Sequence, residues 1–369
     1  MTIRTSIILL LLFIMKTTLV FLGIWASFNA LPFDAASFQA NFIYPFGDLP
    51  SLKSAFIAWD SRWYLFIAEQ GYRMIQSTAF PPLYPFFIRL LSPVLGSIGA
   101  GFLISNLCFF GAIVLLFECV RQKWDVKTAW LTVLLIFAFP TSFFFSLIYT
   151  ESLFLLLLMV FFYGLQCNRK SWILISSFLL PLCRIVGLGI LAPLAVYCIR
   201  ERRPSSALLL LSPVLGLFVT LVITGSFFQD WLILFSAQDF WMSRFSLENV
   251  LQLFQWLQSQ FLLAKLVFHG PGNSFVDRVV FLFLLGTIFA IYRHQPLEYF
   301  LFALCLGIVP AFLGNLMSYS RYIIVVFPFF IQFALWCREQ KGLRAYLFFL
   351  FLFVQVNFIM RYAINYWAS

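Results

Sequence analysis

The chain has 369 residues, is 63% hydrophobic and 10% charged, and carries a mean hydropathy of +0.96 with a formal net charge of +10. Soluble domains carry about 25% charged residues, so a water-soluble fold is excluded. Lipid offers no partner to an open sheet edge and the strict alternation of a lipid-facing barrel is absent, which leaves an all-α, polytopic transmembrane helical bundle.

In chain order, residues 6–26 form the first predicted span. They lack a small-residue cleavage site before Trp25, so they read as a retained helix rather than a cleavable leader. A long polar and aromatic stretch, residues 27–97, follows as the first exoplasmic loop. Spans are predicted at residues 98–118, 128–148 and 151–167. Residues 171–199 differ from these. Arg169 and Lys170 precede them, Arg200, Arg202 and Arg203 follow, and Pro181, Arg184, Gly187 and Gly189 interrupt them, so two short helices with a turn around Arg184 are expected. After a span at 206–224 comes the second exoplasmic loop, residues 225–276. Spans at 277–292, 297–316, 321–337 and 345–362 complete about eleven. There is no internal repeat, which argues against a repeat-built transporter, and residues 1–369 read as one integral-membrane domain.

The shortest loops hold Arg4, Arg121, Lys123, Lys127, Arg338, Lys341 and Arg344 besides the basic residues around 171–199. Cations concentrate in short cytoplasmic loops, so the N-terminus is expected inside, the C-terminus outside, and the chemistry on the exoplasmic loops. This distribution points to membrane lipid rather than nucleic acid as the surrounding partner. The seven cysteines all lie in or beside apolar runs and read as small buried hydrophobes. His269 and His294 are too few for a histidine-based metal site, and no paired acids mark a divalent site. No cofactor is expected, and a divalent metal is left open.

The first loop is the informative one. Its polar lead runs from Asp34 to Lys53, followed by IAWDSRWYLFIAEQGY, residues Ile57 to Tyr72. On a helix Asp60, Tyr64, Ile67 and Gly71 share one face and Trp59, Trp63 and Phe66 another, as expected of a helix lying in the interface with its aromatics at headgroup level. Asp60 stands at its start, where it is either an N-cap or a catalytic carboxylate. Glu69 is expected to pair with Arg73. Next comes AFPPLYPFFIRLLSPVLG, residues 79–96, whose four prolines predict stiff turns and a second surface helix.

These segments resemble the first-loop signature of the PIG-V-type (GPI mannosyltransferase 2-like) membrane glycosyltransferases of the GT-C class. Four further blocks follow in order: YTESLFLLLLMVFFYGL from Tyr149, CRIVGLGILAPLAVY from Cys183, AQDFWMSRFS from Ala237 and SYSRYIIVVFPFF from Ser318. They are similar to the family's Tyr-x-Glu-Ser, Arg-x-x-Gly-Leu, Gln-x-x-Trp and Ser-x-x-Arg-Tyr segments. The chain departs from eukaryotic members at Trp63, where they typically carry His, and at Pro81, where they have Phe. Short loops and the lack of an N-glycosylation sequon fit a prokaryotic plasma-membrane homologue.

The resemblance implies transfer of one sugar, mannose, from a polyprenyl-phosphate carrier to an acceptor hydroxyl, with inversion. The acceptor is a glycolipid, a glycan or a protein, and an accessory membrane subunit is a possible partner. Against that reaction Asp60 suits the general base, with Asp239 as the rival base. Arg184, Arg321 and Tyr322 suit the donor phosphate. Trp59, Trp63, Tyr64, Glu151, Gln238, Trp241 and Arg244 are the further substrate-binding candidates. The plainer readings stay open: Arg184 and Arg321 as snorkelling cations, Glu151 as an acid at a helix start, and the chain as a flippase or transporter of lipid-linked saccharide.

Overall fold

The structure, a computed structural model, describes residues 2–241, 247–262, 267–270, 274–313 and 316–368. Every regular element among them is helical, apart from one isolated bridge between Val267 and Ser274. The first helices are α1 (Ile3–Ala30), α2 (Ala35–Ala40), α3 (Leu52–Phe56), α4 (Asp60–Gln70), α5 (Leu83–Lys123), α6 (Val126–Ala138), α7 (Glu151–Gln166), α8 (Lys170–Cys183) and α9 (Leu191–Glu201). Among the described residues five helices are long and apolar enough to cross a membrane: α1, α5, Pro204–Ser226, Phe275–His294 and Lys341–Ala363. The protein is therefore an integral, multi-pass membrane protein.

The chain packs as two compact units. One comprises residues 1–71, 83–163 and 333–368. The other comprises residues 72–82 and 164–332.

In the first unit α5 packs against α4 and α6, and α1 against Lys341–Ala363. The second surface helix and the 98–118 span follow one another within α5 as two helical stretches that meet at Gly96, where the backbone is non-helical at φ 68° and ψ 157°. Glycine takes that conformation without the clash a Cβ would cause.

The predicted span at 128–148 does not run as one helix. α6 ends at Ala138, because Pro140 pushes Phe139 out of the helical region, to φ −58° and ψ 140°. A 3₁₀ turn, Ser142–Ser146, follows. The carbonyls this break releases would be costly in an apolar interior, and side chains from distant helices take them. Gln355 donates to the Phe137 and Phe139 oxygens at 3.1 and 2.7 Å. Lys16, buried within α1, donates to the Ser142 oxygen at 2.8 Å and to Ser146 Oγ at 2.9 Å, its ammonium 4.8 Å from the centre of the Phe109 ring.

In the second unit α8 packs along Leu211–Ser226 and α9 against Leu297–Ala303. The turn expected around Arg184 is present. α8 stops at Cys183, Arg184 is extended at φ −152°, and a 3₁₀ turn, Ile185–Ile190, leads into α9. Gly187 closes it, since a Cβ there would come within 2.6 Å of the Leu180 carbonyl carbon. The predicted 321–337 span is divided into Tyr319–Ile323 and Phe327–Cys337.

Candidate active site

Asp60 is the first residue of α4 and is half-buried. The backbone delivering it is unusual. Trp59, the N-cap, holds φ 57° and ψ −124° and makes no side-chain cap. A bulky residue at positive φ costs on the order of 1–3 kcal/mol and persists only where its surroundings impose it. The imposing contacts fall on the preceding residue, Ala58. Its N–H donates to the Tyr362 hydroxyl at 3.2 Å, and its carbonyl accepts from the Tyr149 hydroxyl at 3.0 Å. Both tyrosines are fully buried. Tyr149 opens the Tyr-x-Glu-Ser block and Tyr362 lies near the end of Lys341–Ala363, so two distant segments grip Ala58 just ahead of Asp60.

Arg62 secures the other side of the turn. Its buried guanidinium donates through Nε to the Ile57 oxygen at 3.0 Å and through Nη1 to the Tyr44 oxygen at 3.3 Å. It lies 3.6 Å from Asp48 and 4.7 Å above the Phe38 ring. Burial pulls its pKa below arginine's ordinary value, and the charge of Asp48 works against that fall. Glu69 accepts from the Tyr44 hydroxyl and from Ser97 Oγ.

The remaining candidates of this unit are held inside it. Trp63 stacks on Phe42 at 3.8 Å and is 5% exposed, so that face of its ring is occupied by protein. Tyr64 shares a hydrogen bond with Thr150 Oγ1 at 3.2 Å and sits edge-on to Tyr84 at 5.2 Å. Glu151 begins α7 and is 1% exposed. An acid suits the positive end of a helix, but its burial is costly unless the carboxylate is engaged. Thus α4 is tied to the Tyr-x-Glu-Ser block through Tyr64 and Ala58. Tyr149 and Tyr362 escaped the sequence reading, because both sit in apolar runs and reach Ala58 across 91 and 304 residues.

In the second unit Arg184, Arg321 and Tyr322 come together. The guanidinium carbons of Arg184 and Arg321 lie 5.2 and 5.6 Å from the centre of the same ring, Tyr322. Two guanidinium groups beside one aromatic ring concentrate positive charge, and such forks suit phosphate oxygens. Asp277 supports it and was also missed. Fully buried, it accepts the Ser320 N–H at 2.8 Å, while its own N–H is capped by Ser274 Oγ at 3.1 Å. Ser318 enters the turn at φ 59°, and Tyr319 ties it to the Gly307 oxygen at 2.8 Å.

Gln238 donates to the Ala79 oxygen at 3.4 Å and Trp241 sits edge-on to Phe80 at 5.5 Å. Both thus hold the start of the AFPP segment. Arg244 lies outside the described residues. Among the described residues no group of three or more His, Cys, Asp or Glu side chains could hold a metal ion.

The described structure is thus an integral-membrane helical protein, the class within which the comparisons place it. The family model described as Mannosyltransferase (PIG-V) matches residues 2–235. The chain belongs to this family. The first three of the five sequence blocks lie inside the matched residues. Those holding Gln238, Trp241 and Arg244 and then Arg321 and Tyr322 lie beyond them. No curated protein sequence matches the chain. Among solved structures it is similar to the crystal structure of ArnT from Cupriavidus metallidurans bound to undecaprenyl phosphate. That similarity has a TM-score of 0.47 and 16% identity, covering 88% of this chain and 60% of that one.

Proposed function

We propose that this family member transfers a single mannose from a polyprenyl-phosphate donor to an acceptor hydroxyl on the exoplasmic side, with inversion, and that Asp60 is the general base. The observation that carries the reading is the strained Trp59–Asp60 turn, gripped through both polar atoms of Ala58. Such strain is maintained where a side chain must be held in one position.

In this reading the acceptor O–H gives its proton to the Asp60 carboxylate as its oxygen attacks C1 of the sugar, opposite the phosphate. The C1–O bond to phosphate breaks, and its electron pair leaves on the polyprenyl phosphate. That leaving group is already stable as an anion and needs cations rather than an acid. Arg184 and Arg321, gathered on Tyr322, suit that task. No metal enters the scheme.

The test is transfer of labelled mannose from synthetic polyprenyl-phosphate mannose by purified protein in lipid, offered glycolipid and peptide acceptors. Asp60→Asn is expected to lower turnover by about 10²-fold or more with melting behaviour unchanged. Normal turnover in that variant rejects Asp60 as the base. Relocation of the donor across vesicles without transfer favours a flippase instead.

A further inference from the structure

Beyond the carboxylate and the arginines, the first unit contains an aromatic against Trp59, the residue before Asp60, that no sequence block includes. The Lys341–Ala363 helix is followed by a segment that folds back onto the first loop. The Ile364 oxygen accepts the Asp34 N–H at 2.9 Å. Arg361 Nε donates to the Trp367 oxygen at 3.1 Å and fixes the end of the segment. This places the Trp367 ring edge-to-face against Trp59, with centroids 4.9 Å apart at 77°. Both rings are half-buried. Yet both indole Nε1 atoms are buried and have no hydrogen-bond partner.

A buried indole N–H ordinarily finds an acceptor. An edge-to-face pair can direct one N–H at the other ring's face, never both. Two donors are thus withheld from water, one of them on Trp59, whose strained backbone leads directly into Asp60. Indole faces fit the apolar C–H face of a pyranose, and indole N–H groups donate to its hydroxyl and ring oxygens.

We propose that Trp367 and Trp59 form a two-sided cradle for a hexose next to Asp60, with Trp367 a substrate-contacting residue. The proposal rests on the sugar-transfer reading above. The hexose belongs either to the donor or to the acceptor, and kinetics tell them apart. Wild type, Trp367→Phe and Trp367→Ala would be assayed in lipid with polyprenyl-phosphate mannose and a mannoside acceptor.

Trp367→Ala is expected to raise the KM of the partner whose sugar lies in the cradle by about tenfold. Trp367→Phe, which keeps the ring pair and loses only the N–H, should fall between it and wild type. A rise confined to the donor assigns the cradle to the donor sugar, and a rise confined to the acceptor assigns it to the acceptor. Wild-type KM values for both in a folded Trp367→Phe variant overturn the proposal, as does a fall in kcat alone. If Trp367→Ala does not fold, Trp367→Phe decides.

If wild type transfers no sugar, the reaction reading fails separately. The cradle is then read by titrating tryptophan fluorescence with methyl α-mannoside. A change in wild type that is lost in Trp367→Phe supports it. No change in wild type, or an identical change in both, overturns it.

Discussion

At Trp59 a single backbone angle sets where the candidate base, Asp60, begins its helix. At ordinary positions glycine is less stable than alanine, by about 0.5–1 kcal/mol in a regular element. At φ 57° the order should invert. Trp59→Gly relieves the positive-φ strain and Trp59→Ala keeps it, so the glycine variant is expected to be the more stable of the two by on the order of 1 kcal/mol. Thermal unfolding in detergent measures this, and an alanine variant as stable as the glycine variant would mean that the turn is unstrained. Asp60 was legible in the sequence as a candidate, since a carboxylate among aromatics in an apolar chain stands out. The residues that hold it were not. Tyr149 and Tyr362 act through long-range bonds to one peptide group, and nothing local in an apolar run announces which tyrosine hydroxyl will be used. Trp63, a candidate sugar platform because it neighbours Asp60 in sequence, packs one face of its ring on Phe42, a contact the sequence does not announce.

At the scale of elements, the candidate donor-site residues Arg184 and Arg321 stand at breaks in helices. The break at Arg184 was readable because Pro181, Gly187 and Gly189 cluster around it. The break after α6 was not read, since Pro140 lies in an apolar stretch long enough to span. The partners that make this break tolerable, Lys16 and Gln355, lie on other helices. The short turn Tyr319–Ile323 depends on Asp277 in a similar way. Removing that carboxylate strands the buried Ser320 N–H, so Asp277→Ala is expected to cost about 1–3 kcal/mol and to weaken donor binding through Arg321. Asp277→Asn, which retains an acceptor oxygen, should cost clearly less. Equal losses in the two variants, measured by melting and donor titration, would remove Asp277 from this role. α2 offers a pH test. Asp34 caps it, and hydrogen bonds from the Ser37 side chain and backbone lower its pKa in the folded protein. A depressed carboxylate stabilises the fold above its unfolded pKa, about 3.9, and that contribution is lost as the pH falls through the folded value. Stability should decline below about pH 4, and less steeply in Asp34→Asn. An unchanged slope in that variant would show that other carboxylates carry the decline.

For the whole molecule, composition was sufficient to define an all-helical membrane protein, and five ordered blocks to indicate its family. Span number was harder to read, because apolar length does not reveal where a helix unwinds inside protein. Among the described residues five continuous helices reach spanning length, and further apolar helices such as Val126–Ala138 and Glu151–Gln166 are shorter. Orientation follows from charge and can be measured. In a cysteine-free background, Leu49→Cys in the first loop should react with an impermeant maleimide added to intact cells. Glu339→Cys, at an exposed site between basic residues, should react only after permeabilisation. The reverse pattern would invert the topology. The grip on Ala58 has a further bearing on engineering within the family. The first loop, the segment around Tyr149 and the segment from Tyr362 onward meet at one peptide group. A chimaera that imports a homologue's first loop alone would seat a foreign turn between native tyrosines. Exchange of acceptor preference between relatives should therefore require transplanting all three stretches together.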